Sequence, residues 1–554
     1  MSDQGPRRRR KEVAETPGPE AETDGDGASD PTPQLSTLSL FIVLFIIRLV
    51  NALSIRTFFQ ADEYYQALEP AYNYVYGYGY ITWEWREHLR SSIHPLLYSV
   101  GYQIAKCLND SDFLVWAIPR IIGALIASIG EVNLYLFTRE YTGQESLARI
   151  TVLLSVGNPF NWYVSTRAFS NSFETALTTI ALRYWPWNTT SDIQYDSFLT
   201  SIAFGAVSCI VRPTNAIIWM YLGIYYLWTI RASHVLDIVK LLFLALLELT
   251  TILAVNCVLD WAFYGELTFP LWNFLQFNLV KKLSIFYGVA PWHFYLFQAI
   301  PIFLMLYLPL FLHSLFVLQT YKLILTQVSV VVLVIFSLIE HKEFRFIYPL
   351  QPLFLVICSY SFKQVMKTFT AKQFAYTVNL MIIGNTAISY FFTRIHERGV
   401  IDVIDYIKND SRASSVGFLT PCHSTPWQSQ LHDPALESNT WFLTCEPPLH
   451  IASGDQKAIL EYRDESDNYY DDRVKFLRET LPPLDTTSTT TTATKYQWPS
   501  HLVVFETEEK FITEFLQDSN YRQCQRFFNS YFHWDSRRSG DVIVFCNVDE
   551  ETSS

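Results

Sequence analysis

Apolar residues come along this chain in repeated runs of about 16–25, the length that crosses a hydrocarbon core of about 30 Å, with polar or aromatic segments between them. Eleven runs are predicted to be transmembrane helices: 38–56, 116–138, 150–166, 170–186, 195–211, 214–230, 238–262, 294–314, 322–340, 346–361 and 374–393. Basic residues orient them, because Lys and Arg concentrate in cytosolic loops. With the RRRRK stretch at 7–11 in the cytosol, Arg139, Arg149, Arg231, Lys240, Lys322, Lys363, Lys367 and Lys372 all fall on the same side. The luminal side then receives residues 57–115, the 263–293 loop, the HKEFRF segment and everything after 394. The run 94–108 is apolar but only about 15 residues long, and it is expected to be interfacial or re-entrant.

The two ends of the chain differ in texture from this middle. Residues 1–36 carry the basic cluster and then an acidic, Pro/Gly-rich stretch, and are expected to form a disordered cytosolic tail without a cleavable signal peptide. After residue 395, short apolar strands recur at 416–420, 441–444, 501–505 and 541–545, with a helical pattern, EEKFITEFL, between the last two. Such alternation predicts an α/β domain. The expected plan is a tail (1–36), a catalytic transmembrane domain (37–395) with a luminal loop at 57–115, and a luminal α/β domain (396–554). The Thr-rich run at 486–494 reads as a low-complexity loop.

Composition agrees with membrane residence: half the residues are hydrophobic and aromatics reach 16%, well above the needs of a soluble core. A net charge of −12 with no large basic face argues against nucleic acid as a partner. Cys107, Cys209, Cys257 and Cys358 lie in or near apolar runs and suit small buried hydrophobes. Cys422, Cys445, Cys524 and Cys546 fall in the terminal domain, where an oxidising lumen would allow one or two disulfides of unspecified pairing. No CxxC or HExxH is present, so no metal site is expected. Of three Asn-x-Ser/Thr sequons, Asn109 and Asn409 are placed in the lumen as glycosylation candidates and Asn188 in the cytosol.

Candidate chemistry concentrates in the luminal loop FFQADEYYQALEPAYNYVYGYGYITWEWREHLRSSIHPLLYS. Its adjacent acids, Asp62 and Glu63, stand among aromatics and bases that suit a water-accessible pocket better than lipid. A general base must be ionised and poised by its surroundings, and either acid fits. An interfacial ion pair with Arg86 or Arg90 is the structural alternative. Trp83 and Trp85 serve equally as an aromatic belt or as stacking surfaces for a sugar. The second constellation is His341-Lys342-Glu343-Phe344-Arg345-Phe346, on the same predicted face. Two cations and a His can stabilise phosphate charge as a glycosyl bond breaks, or can anchor the chain at the interface. Arg90 and His94 are further phosphate candidates. Arg212, before Pro213, suits a helix-terminal structural role, and Glu248, deep in a span, is expected to have a partner.

The succession ADEYYQALEPAY, YGYITWEWREHLRSSIHPLLY, STRAFSNSFET, CIVRPTNAIIW and HKEFRFIYPLQP resembles the GT-C membrane mannosyltransferases that use dolichyl-phosphate mannose. PCHSTPWQSQLH, FLTCEPPL, DESDNYYDD and VVFETEEKF narrow the resemblance to the branch that adds the third mannose in glycosylphosphatidylinositol (GPI) anchor assembly, in the endoplasmic reticulum membrane. The likeness runs over about 40–550, with Ala61 where a Pro is common and Tyr65 where a Trp is common. It implies inverting transfer from the lipid phosphate to the 2-hydroxyl of the second GPI mannose, giving an α1,2 bond. Asp62 would then be the base and Glu63 an orienting group, with His341, Lys342, Arg345 and Arg90 on the phosphate. No cofactor is implied, since the donor is itself a substrate and its monophosphate meets protein cations. The 263–293 loop, with Trp272, Tyr287 and Trp292, would cover the donor, and His423 would be an acceptor contact, though a satisfied loop histidine is the commoner reading of such a residue. An α1,2-mannosyltransferase of N-glycan precursor assembly shares the loop and is the nearest alternative. A polytopic lipid transporter predicts internal repeats, which are not seen. A non-catalytic scaffold would tolerate loss of Asp62.

Overall fold

A computed structural model describes residues 35–187, 193–281, 283–451, 455–484 and 494–548. The predicted tail up to residue 34, the sequon at Asn188 and the stretch 485–493 of the Thr-rich region lie outside the described residues. Most of the remaining chain before residue 395 is helical. Thr37–Ser54, Asp112–Thr142, Val235–Tyr264 and Tyr295–Phe316 are long and apolar enough to cross a membrane, and Tyr195–Val211 and Ile324–Leu338 are shorter apolar helices. Ser170–Tyr184, Ala216–Thr229, Gln351–Thr368 and Ala371–Arg394 complete the bundle. Its interior is a cluster of large side chains, among them Phe137, Phe169, Trp185, Phe303 and Phe354. Leu236, Phe243, Leu246 and Ile224 remain exposed, the arrangement a helix surface needs in lipid and not in water.

Two expectations are revised, at 150–166 and at Glu248, and the form of the 94–108 run is seen. The run 150–166 is two helices, Glu145–Val156 and Pro159–Val164, because Asn158 caps the second by accepting from the Asn161 N–H and Pro159 has no N–H to continue the first. The run 94–108 is a helix, Ile93–Leu108, that buries Tyr98, Tyr102 and Ala105. Glu248 lacks the expected partner, since its Oε2 is buried without a hydrogen bond. The reason is local: Val235–Tyr264 packs at the edge of the bundle and buries only Leu241, Ala245, Asn256 and Asp260.

After residue 395 the chain forms a five-stranded sheet of order β2-β1-β3-β5-β4, with β1 Val416–Leu419, β2 Thr440–Phe442, β3 His501–Phe505, β4 Tyr521–Ser530 and β5 Gly540–Asn547. β1 runs parallel to β2 and β3, while β5 is antiparallel to β3 and β4. Alternation along the strands divides two cores. Val503, Phe505, Val542 and Val544 pack with helix Gly399–Asn409 and the aromatic loop around Tyr65 and Tyr72. Leu502, Val504, Ile543 and Phe545 pack on the other face with Ile512 and Tyr469. β4 was not expected, because it is an edge strand of sequence YRQCQRFFNS with most positions open to solvent. Cys524–Cys546 fastens that edge to β5, and Cys422–Cys445 bridges the segments after β1 and β2.

Candidate active site

The acidic pair opens a helical stretch: Ala61–Glu63, one π-helical turn at Tyr64–Leu68, then Glu69–Tyr76. A π turn re-aims side chains within a helix and recurs at functional sites. Here the two neighbouring carboxylates diverge. Glu63 points inward, with its side chain 8% exposed, onto the guanidinium of Arg167, which is 2% exposed and 2.8 Å away. Arg167 also donates to the carbonyls of Tyr163 and Thr57 and to the Thr57 hydroxyl, so its donors are spent within the protein. Asp62 faces the other way, with 17% of its side chain exposed, and pairs with Arg345.

Arg345 lies between two carboxylates. One edge meets Asp62, and Nε and Nη2 donate to Glu343 at 2.5 and 2.6 Å. Phe169 and Phe346 flank the guanidinium. The structure thus joins Asp62 to the HKEFRF segment, as the shared luminal face implied. The other members of that segment turn elsewhere. The His341 ring bonds the Gly288 carbonyl at 2.9 Å and Glu343 at 3.2 Å. Burial opposes its charge, but Glu343 and the Gly288 carbonyl raise its pKa above the usual histidine value. The Lys342 ammonium donates to the Ala290 carbonyl at 2.8 Å, and burial lowers its pKa. Both residues therefore tie the 263–293 loop beside the acidic pair.

Arg90 makes a two-pronged contact with Glu84, both bonds 2.8 Å long, and Arg86 pairs with Glu446. Neither arginine touches the acidic pair. Asp260 holds the loop that carries Arg90: it accepts from the Ser92 N–H and hydroxyl, both at 2.7 Å, while the Tyr264 hydroxyl donates to the Arg90 carbonyl at 2.6 Å. His94 is buried against Phe173, and neither ring nitrogen has a partner. Burial, with Arg90 and Arg212 nearby, pushes its pKa down to about 3, so the ring is neutral. Arg212 contacts the Ser170 hydroxyl at 3.1 Å and Glu174 at 3.9 Å and covers Phe346, close enough to feel the charges of Arg90 and Glu343.

Both tryptophans are interior. Trp83 packs on Phe277 and Tyr287, and Trp85 donates to the Tyr65 carbonyl and packs on Phe263. They brace the loop instead of forming a lipid-facing belt. Tyr287, Trp272 and Trp292 stay largely exposed. His423 packs against Tyr65 with ring centroids 4.3 Å apart and planes tilted by 47°, and burial with Arg538 nearby lowers its pKa to about 4. Cys422, His423 and Cys445 cluster, but both sulfurs are joined in the disulfide and offer no thiolate to a metal. Asn109 and Asn409 are exposed on one side of the molecule, where Lys408 reaches Asp112 at 2.8 Å.

Arg167, Glu343 and Glu84 were not foreseen as partners. Arg167 lies in the STRAFSNSFET motif, but its pairing with Glu63 spans 104 positions and leaves no spacing to read. Glu84 and Glu343 stand only six and two positions from Arg90 and Arg345, and the carboxylate beside each cation was overlooked.

The family model for Alg9-like mannosyltransferases matches residues 39–432, which include the acidic loop, Arg167, the HKEFRF segment and β1. The chain belongs to the Alg9-like mannosyltransferase family. Among curated members of related sequence, GPI mannosyltransferase 3 of Debaryomyces hansenii is 51% identical over 98% of this chain and 99% of its own. GPI alpha-1,2-mannosyltransferase 3 of Mus musculus is 33% identical over 91% of this chain and 88% of its own. ArnT from Cupriavidus metallidurans, solved bound to undecaprenyl phosphate, shares the fold with a TM-score of 0.55 and 12% identity, over 92% of this chain and 98% of that one. This Alg9-like mannosyltransferase is thus a glycosyltransferase built on a polytopic membrane fold.

Proposed function

We propose that the chain transfers mannose from dolichyl-phosphate mannose to the 2-hydroxyl of the second mannose of the GPI precursor, forming an α1,2 bond with inversion at the luminal face of the endoplasmic reticulum membrane. The names of its relatives support the GPI acceptor, and a fold neighbour bound to undecaprenyl phosphate supports a lipid-phosphate donor. The observation that carries the mechanism is the division of labour in the acidic pair: Asp62 opens outward against Arg345, and Glu63 is locked to Arg167.

In the proposed step, Asp62 accepts the proton of the acceptor hydroxyl as its oxygen bonds to the anomeric carbon. The bond from that carbon to the phosphate oxygen breaks on the opposite side, and dolichyl phosphate leaves with the electron pair. One in-line displacement inverts a β-linked donor to an α product. Arg345 receives the phosphate charge. As that charge draws the guanidinium, Asp62 is less neutralised and becomes the stronger base. Glu343 keeps Arg345 in place throughout. Arg212, Arg90 and the unpartnered ring of His94 form the adjacent polar wall.

The test uses membranes carrying wild type, Asp62→Asn or Glu63→Gln at matched protein levels, given dolichyl-phosphate mannose and a two-mannose GPI acceptor. A three-mannose product from wild type that Asp62→Asn abolishes supports the proposal. Full activity of Asp62→Asn refutes the mechanism, and transfer only to an N-glycan precursor refutes the acceptor.

A further inference from the structure

The connection between β4 and β5 carries an aromatic cluster that the catalytic reading leaves unused. Trp534 is 90% exposed, Tyr531 75% and Phe532 57%, and Phe528 stands beside Tyr531 with ring centroids 4.8 Å apart. An exposed grouping of this size on an otherwise well-packed sheet marks a contact surface. Its height in the molecule is fixed by hydrogen bonds. Helix Thr37–Ser54, long and apolar enough to span, is followed by Arg56, whose N–H bonds the Thr393 carbonyl at 3.0 Å. The Phe58 N–H bonds the Glu397 carbonyl at 2.8 Å, and the Glu397 N–H bonds the Asn529 carbonyl at 2.9 Å. Arg56 also covers Trp116, in the first turns of the second spanning helix, Asp112–Thr142. Phe532 itself stacks on His396 and Phe391, at the end of helix Ala371–Arg394.

The aromatic cluster therefore lies level with the ends of three helices, where hydrocarbon gives way to headgroups. Trp and Tyr favour that level, since their rings are apolar and their N–H and O–H groups remain hydrated. The contact is held firmly. Asn529 is buried and accepts from the Val400 N–H at 3.3 Å, and Gly399 lies so close to it that a Cβ there would come within 2.8 Å of the Asn529 Cβ. We propose that the 528–534 segment inserts its aromatic side chains into the headgroup region of the luminal leaflet, giving the C-terminal sheet a lipid contact of its own.

The experiment uses full-length protein in lipid nanodiscs with Cys107, Cys209 and Cys257 replaced by Ser. An environment-sensitive fluorophore is attached at Trp534→Cys, at Tyr531→Cys in a second variant, or at Lys510→Cys, a 90% exposed position on another helix of the sheet domain. Nitroxide lipids labelled at the headgroup or deep in the acyl chain serve as quenchers. The expected result is loss of more than half the emission at 534 and 531 with headgroup nitroxide, less with deep nitroxide, and none at 510. Equal emission at 534 and 510 with lipid quenchers overturns the proposal. Protection of 534 from aqueous iodide without lipid quenching also overturns it and assigns the patch to a protein contact.

Discussion

Replacing each member of the acidic pair should separate stability from activity. Glu63 and Arg167 are both buried and 2.8 Å apart. At an effective dielectric constant near 20, their attraction is about 6 kcal/mol before desolvation is subtracted. Removing one partner of such a pair leaves the other charge uncompensated and costs about 3–5 kcal/mol. Glu63→Ala should therefore lower the thermal unfolding midpoint sharply. Glu63→Gln keeps an acceptor for Arg167 and should cost about 1–2 kcal/mol, the difference between charged and neutral hydrogen bonds. Asp62 is different, because its loss leaves Arg345 bonded to Glu343 and still near solvent. Asp62→Asn should unfold close to wild type while losing a factor of about 10²–10⁴ in kcat, or about 3–5 kcal/mol of barrier. The assay pairs thermal unfolding in nanodiscs with mannose transfer normalised to folded protein. If Glu63→Gln keeps its unfolding midpoint and loses activity as deeply as Asp62→Asn, the division of roles inferred from the two ion pairs is wrong.

Other outcomes follow from the fastening of the loop that carries the acidic pair. Glu69 is fully buried, and burial raises its pKa to about 8 in the folded state even though the Ser429 N–H and hydroxyl bond its Oε1. The folded state then holds a proton that the unfolded state releases near pH 4.5, so this contribution to stability is complete below pH 4.5 and is lost as pH rises towards 8. Glu69→Gln should flatten the dependence of the unfolding midpoint over that window and exceed wild type at alkaline pH, whereas parallel curves would count against a protonated Glu69. Each disulfide closes a loop of just over twenty residues, so Cys422→Ser with Cys445→Ser should cost about 3 kcal/mol, read as a lower midpoint that dithiothreitol lowers further only through Cys524–Cys546. Asn109 and Asn409 should carry glycans on one side of the membrane, and each Asn→Gln variant should remove one endoglycosidase-sensitive mobility step. Sensitivity of only one of the two would contradict their shared face.

Much of this arrangement was legible in the sequence, for reasons that differ by residue. Assigning both segments to one side of the membrane through basic residues put Asp62 and Arg345, 283 positions apart, on one face, but their direct pairing was not read, since Arg86 and Arg90 were the expected partners. The strands β1, β3 and β5 announce themselves as apolar runs because both of their faces are covered. β4 does not, since an edge strand needs backbone pairing more than apolar side chains. The break at Pro159 had its signal in the Gly-Asn-Pro sequence, which the hydropathy of the surrounding run masked. Lys342 and His341 were placed on the predicted face of Asp62, but their bonds to the carbonyls of Ala290 and Gly288 depend on where a distant loop folds back. No local pattern encodes that. The same holds for Trp85, whose burial is set by Phe263 and the Tyr65 carbonyl.

The C-terminal sheet then has a physical reason to exist beside the loop proposed to carry the base. A loop that presents a base must hold it within a fraction of an ångström, and a membrane bundle grips this one from below through Arg167 and Asp260. Its upper side would be open to water without the sheet. Instead the Tyr65 hydroxyl donates to the Thr425 carbonyl at 3.0 Å, Ser429 bonds Glu69, the Tyr72 hydroxyl meets His432 at 2.7 Å, and Arg86 pairs with Glu446. Three of these four contacts fall within 425–432, and the family match ends at residue 432. The segment that follows β1 therefore belongs with the membrane part of the chain in both the family match and its packing on the acidic loop. The Cys422–Cys445 bridge lies next to it, so the disulfide stiffens the wall on which Tyr65 and the helix behind Asp62 rest. By this reasoning, breaking the bridge should loosen the acidic loop before it unfolds the sheet, and Asp62 should lose its aim while the strands persist.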